Sequence, residues 1–262
     1  GNFVMRVILV VLILVFSNLC GFCEKLSGEV SKQGELERNT VVEQETGAGV
    51  GNARVSVPAQ NFDTVTDQTG GFNIPASMMP PYIMSVKKDG YKPFSMTVTE
   101  KALAAPLLLQ IEKSDAKTVV VDAQMCHLGD DDYSDNSANA GDFRIRSSGP
   151  IFRKNFAISN AMSKQKLFLR IGSIIGIDTK EAVKIGQSHV RYSYSSPVRI
   201  FVNSKKIGEI KINGDNQKLR IPKRFIRPGE LNEVRIETGI NLFQHAYTDY
   251  DDMEFMNVFI ES

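Results

Sequence analysis

Two glycine-centred turns, each set between short alternating runs, constrain this chain more than any other feature. Ala53-Arg-Val-Ser-Val57 alternates apolar and polar residues, and Thr64-Val-Thr66 repeats the pattern. Asp67-Gln-Thr-Gly-Gly71 then turns the chain back into Phe72-Asn-Ile74. Further on, Lys87-Lys-Asp-Gly-Tyr91 separates Tyr82-Ile-Met-Ser-Val86 from Phe94-Ser-Met-Thr-Val98, and Leu107-Leu-Leu-Gln-Ile111 closes the series. A period of two puts alternate side chains on opposite faces of a strand, so each run has one face to bury. Glycine and aspartate are what the intervening tight turns require, glycine because it takes positive φ without a Cβ clash. No segment here keeps a helical period over ten residues. Short strands of this kind cover their apolar faces by stacking two sheets, which predicts a β-sandwich at 24–113.

Residues 114–117, Ser-Asp-Ala-Lys, predict a polar linker. Beyond it, strand-like runs fall at 118–125, 142–146, 152–158, 167–171, 198–202, 219–221, 233–237 and 254–260. Val198 to Gly208 reads as strand, tight turn, strand, and Pro228-Gly229 punctuates a later turn. That spacing predicts a second, larger sandwich of jelly-roll type at 118–262. The fold class expected is all-β, with two β-sandwich domains. Two segments depart from the pattern: 35–51 is polar and glycine-containing and reads as a mobile loop, and 174–196 reads as an insertion.

The N-terminus predicts a secretory signal peptide at 1–23. Arg6 precedes ten apolar residues from Val7 to Phe16, and Gly21 and Cys23 suit cleavage before Glu24. The apolar run is well short of the roughly 20 residues a membrane span needs. A retained N-terminal anchor is the competing reading. Cleavage would remove Cys20 and Cys23 and leave Cys126 alone, so no internal disulfide is available. Cys126 sits in a strand-like run and reads as a small buried hydrophobe. Loss of Arg6 takes the formal charge from +1 to 0, which argues against general nucleic-acid binding. A secreted or cell-surface location follows, with no membrane span after signal removal.

The first sandwich resembles the carboxypeptidase regulatory-like domain, a transthyretin-like seven-stranded sandwich, over 27–113. The residues that carry the likeness are Gly28-Glu-Val30, Ala53 to Val57, Thr66 to Phe72, Tyr82 and Gly90-Tyr91. What it implies is fold and a spacing role, not activity. The string from Phe201-Val-Asn-Ser-Lys-Lys-Ile-Gly208 through Ile221-Pro222 and Pro228-Gly-Glu-Leu-Asn-Glu-Val234 looks like the galactose-binding-like fold. His127-Leu-Gly-Asp-Asp-Asp-Tyr133 and Asp251-Asp-Met-Glu-Phe-Met-Asn-Val-Phe259 extend that likeness over 118–262. It implies a carbohydrate-binding module in which the first and last strands lie side by side, with a structural calcium common there.

Candidate chemistry is sparse. Asp130, Asp131 and Asp132 form one acidic loop, and Asp251 and Asp252 precede the final strand. Calcium takes six to eight oxygens from such residues, so these five are the candidate metal ligands; solvated acidic loops are the competing reading. The three histidines, His127, His189 and His245, lack any His or Cys partner at zinc spacing, and there is no nucleophile elbow. A non-catalytic protein is therefore expected. Asn241-Leu-Phe-Gln-His-Ala-Tyr-Thr-Asp-Tyr250 mixes amides, an imidazole and two phenols, a combination suited to stacking on pyranose rings and bonding their hydroxyls. Tyr192, Tyr194, Asn241, His245, Tyr247 and Tyr250 are the candidate ligand contacts. The absence of tryptophan counts against tight glycan binding. Lys218 and Arg220 read as one exposed basic face. The function expected is carbohydrate or glycoconjugate binding, and the alternative is a structural or adhesion protein contacting another extracellular protein.

Overall fold

The computed structural model describes residues 38–132, 143–190 and 194–262. Strands dominate, and they build two sandwiches with separate hydrophobic cores. The first contains β1 (Asn39–Glu43), β2 (Arg54–Val57), β3 (Phe62–Val65), β4 (Gly71–Phe72), β5 (Tyr82–Lys87), β6 (Phe94–Val98) and β7 (Leu108–Ile111). Its sheets have the orders β4-β1-β7 and β3-β2-β5-β6. The period of two decides which residues go inside: Val55 and Val57 of β2, and Leu109 and Ile111 of β7, are buried while their neighbours face outward or the edge. Each such side chain contributes roughly 1.5–3 kcal/mol when fully buried.

The turn after β3 is built as its residues demand. Asp67 Oδ1 accepts hydrogen bonds from Thr69 Oγ1 at 2.8 Å, Thr69 N at 2.8 Å and Gly71 N at 3.0 Å. The Thr69 hydroxyl and these amides hold the Asp67 carboxyl down at about 2. Gly70 takes φ +83°, and a Cβ there would lie 2.2 Å from the Val41 carbonyl oxygen.

One expectation fails here. Within 35–51, residues 39–43 are not a mobile loop but β1, the middle strand of its sheet. β1 pairs parallel with β7 and antiparallel with β4, and Val41 is fully buried. Asn39-Thr-Val-Val-Glu43 is short and flanked by polar residues, and its partners are about 30 and 70 residues away, so nothing local marks it.

The second sandwich contains β8 (Thr118–Leu128), β9 (Ile151–Ala157), α1 (Asn160–Ser163), β10 (Leu167–Ile175), α2 (Lys180–Lys184), β11 (Val198–Val202), β12 (Lys205–Ile210), β13 (Gly214–Ile221), β14 (Leu231–Glu237) and β15 (Met253–Glu261). All pairings are antiparallel, in the orders β13-β10-β15-β8 and β12-β11-β14-β9. Neither sheet closes into a barrel. Leu169, Ile171, Ile200, Val202 and Val234 are fully buried between the sheets. Phe152 meets Phe255 edge-on, ring centroids 5.3 Å apart, the favoured aromatic geometry. The tight turn between β11 and β12 uses Asn203 and Ser204 at φ +48° and +63°, as a two-residue hairpin requires.

One further expectation is corrected. Residues 143–146 form no strand; the Phe143 ring lies 5.0 Å from that of His127, and the Ile145 carbonyl accepts a hydrogen bond from His127 Nδ1. The segment after β10 packs into the sandwich: Ile174, Ile177 and Ala182 are buried, and α2 starts on a Thr179 cap whose Oγ1 accepts from Ala182 N at 3.1 Å.

The sandwiches meet through β6. The Asp215 carboxylate accepts from Thr97 N at 2.9 Å and 3.0 Å and from Thr97 Oγ1 at 2.9 Å. Ser173 Oγ donates to Ser95 Oγ at 3.0 Å. Gly172 permits this approach, since a Cβ would fall 2.4 Å from Ser95 Oγ. Among the described residues, no helix is long and apolar enough to cross a membrane.

Candidate functional site: an exposed aromatic loop over a buried polar scaffold

The segment between β14 and β15 crosses one end of the second sandwich and is tied down from beneath. Asp251 is fully buried, and its Oδ2 accepts from Ser195 Oγ at 2.6 Å and Asp178 N at 3.1 Å. Asn241 Nδ2 donates to Asp249 Oδ2 at 3.0 Å, while Asn241 Oδ1 accepts from Phe243 N at 2.9 Å. Isolated bridges join Ser195 to Asn241 and Ile240 to Tyr250. Leu242 N donates to Tyr194 O at 2.8 Å. Asp178, Ser195, Asn241, Asp249 and Asp251 are all buried. Burial, then the charge of Asp178, pushes the Asp251 carboxyl well above the ordinary carboxylate range.

The result is a fixed loop with apolar side chains on its outside. Phe243 is 51% exposed, Tyr247 48% and Leu242 47%. The Tyr194 ring lies 5.6 Å from that of Phe243 at a 58° tilt, with Lys180 Nζ 5.7 Å from the Tyr194 ring centre.

A second polar group lies where β8 and β15 run side by side. His127 Nε2 donates to Asp252 Oδ1 at 2.7 Å, both side chains being fully buried. His127 Nδ1 donates to the Ile145 carbonyl. Burial opposes a charge on this imidazole, but the bonds to Asp252 and Ile145 outweigh it and raise the His127 pKa. Asp252 Oδ1 also accepts from Asp131 N at 3.3 Å. Gly129 leaves room for that carboxylate: a Cβ there would meet Asp252 Oδ1 at 2.0 Å. Glu254 stands opposite His127 in the ladder; burial pushes its carboxyl up to about 7, with the nearby His127 charge pulling the other way. Oδ2 of Asp252, Oδ1 of Asp251 and Oε1 of Glu254 find no hydrogen-bond partner among the described residues.

Of the candidate ligand contacts, Tyr247 and His245 are exposed, and Tyr194 and Tyr250 are half-buried. Asn241 is only 4% exposed, and its amide is engaged inside the loop. Tyr192 lies outside the described residues. Phe243 escaped the residue-by-residue reading, although Leu242-Phe243 inside a polar decapeptide is the signal that marks it. Of the candidate metal ligands, Asp131 and Asp252 come together with His127, their donor atoms within 4.8 Å of one another. Asp130 Oδ2 accepts from Tyr250 N at 2.9 Å and Asp130 Oδ1 from Asp132 N at 3.2 Å. Asp251 turns away from this group toward Ser195 and Asp178.

No protein-family model matches this sequence, and no curated protein does. Among solved structures, a β-D-glucuronidase from Dictyoglomus thermophilum is similar at 12% identity and TM-score 0.30, over 57% of this chain and 29% of that one. A glycosyl hydrolase family 2 member from Bacteroides cellulosilyticus is similar at 11% identity and TM-score 0.27, over 54% of this chain and 20% of that one. The chain thus spans less than a third of either enzyme, and likenesses this loose carry no argument about its activity.

Proposed function

We propose that this chain is a secreted or cell-surface, non-catalytic carbohydrate-binding protein. In this reading the first sandwich is a carboxypeptidase regulatory-like spacer, and the second is a galactose-binding-like module that carries the contact loop. The supporting observation is the pair of exposed rings, Phe243 and Tyr247, on a loop already fixed by buried hydrogen bonds. Rings held this way stack on the apolar face of a pyranose without the cost of ordering the loop on binding. The aliphatic neighbours Ile240 and Leu242, also exposed, favour a second reading in which the same surface docks another extracellular protein. Glycan-array binding that weakens in Tyr247→Ala separates the two.

A structural calcium is part of the proposal. It is supported by buried carboxylates in excess of the one buried imidazole, and by an Asp252 oxygen with no hydrogen-bond partner among the described residues. Asp131 and Asp252 would hold the ion. Two gathered carboxylates fall short of calcium's six to eight oxygens, so carbonyls or water would supply the rest. Calcium is expected to raise the thermal midpoint by several degrees over chelator-treated protein in a calorimetric scan; equal midpoints would leave protonation as the means of neutralising these acids.

A further inference from the structure

The docking of the two sandwiches leaves a groove along their seam, with a volume of 420 Å³. Its floor is the outer face of the second sandwich, where Arg170 of β10 stands beside Phe259 of β15. Its wall comes from the first sandwich: Phe94 at the start of β6, and Leu108 and Gln110 on the outward face of β7. Clefts of about 300–1,000 Å³ at domain junctions are where small ligands bind, and this one falls inside that range.

The lining says what class of ligand fits. Its ionic groups are already matched: Arg170 Nη1 donates to Glu261 at 2.8 Å, and Lys92 Nζ donates to Glu112 at 2.5 Å. The Asp215 carboxylate is taken by Thr97. A charged ligand would have to break these pairs. Gln44 and Gln110, by contrast, are exposed and make no side-chain hydrogen bond to the described residues. Each amide offers both donors and an acceptor, which matches hydroxyl groups that both give and take hydrogen bonds. Leu108, 43% exposed, and Phe94 supply apolar surface between these polar groups. A ligand with hydroxyls around its edge and an apolar face meets both demands.

We propose that this seam is a second binding site, for a short neutral oligosaccharide, separate from the aromatic loop. The inference rests on the carbohydrate reading above. The test is isothermal titration of the full chain with cellotriose, xylotriose, maltotriose and β-1,4-galactotriose. Three variants accompany it: Gln44→Ala with Gln110→Ala, Leu108→Arg, which fills the groove, and Phe243→Ala with Tyr247→Ala. All change exposed side chains, and thermal midpoints check their folding. One trisaccharide is expected to bind the parent and the loop variant, to bind the glutamine variant about tenfold more weakly or worse, as loss of two net hydrogen bonds implies, and to be shut out of the Leu108→Arg variant. Groove variants that bind like the parent overturn the proposal. Binding lost only in the loop variant overturns it too, but leaves the carbohydrate reading standing. No binding to any of the four by folded parent protein removes the groove site, and removes the wider reading as well if the glycan array is also blank.

Discussion

Glu254 and His127 face each other from neighbouring strands, and both have raised pKa values in the fold. A carboxyl moved from an ordinary 4.5 to about 7 binds its proton more tightly when folded than when unfolded. Its contribution is therefore complete below about pH 4.5 and is lost as pH rises through 7. His127 acts in the same direction, stabilising below its ordinary value and ceasing to as pH rises through its raised one. Metal-free protein is thus expected to gain stability from pH 8 to pH 5.5 in urea unfolding. Glu254→Gln should remove at most about 2 kcal/mol of that gain, the roughly 1.5 pH units from 7 to 5.5 at about 1.4 kcal/mol each. An unchanged slope in the variant would show that Glu254 titrates as it does in the unfolded chain. Asp67 works oppositely, but its low value confines its effect to pH below about 4.

At the scale of elements, the loop between β14 and β15 owes its shape to Asn241. Replacing it with Ala removes the bonds to Asp249 and Phe243 N, at a cost of about 1–3 kcal/mol. Faster amide hydrogen exchange is expected across 242–250, with β14 and β15 unchanged. Exchange at parental rates would mean that the bridges from Ser195 and Tyr250 fix the loop by themselves. Asn241 also marks where sequence reading stops. An amide in a polar loop looks the same whether it meets solvent or its own backbone, and only the fold decides which. The acidic segments were legible as a pair: Asp131 N reaches Asp252, and Asp130 accepts from Tyr250 N. Their partners Asp178 and Ser195 were not, because they come from a span with no motif of its own.

At the scale of the whole molecule, most strands could be read because alternation and turn chemistry are local signals. Val198–Val202 and Phe94–Val98 fall where the pattern put them. β1 could not, because five residues between polar flanks gain their stability from partners far along the chain. The seam was invisible for the same reason: Gly172 and Asp215 are ordinary residues until β6 packs against them. What results is two sandwiches joined by a few fixed contacts, with an aromatic loop at one end of the second. The central claim is that this loop binds sugar, and the most direct measurement is a glycan array probed with the protein in calcium. The account predicts specific hits that weaken in Phe243→Ala and Tyr247→Ala, at unchanged thermal midpoints. A blank array from folded protein would contradict it and give first place to a protein partner on the same surface.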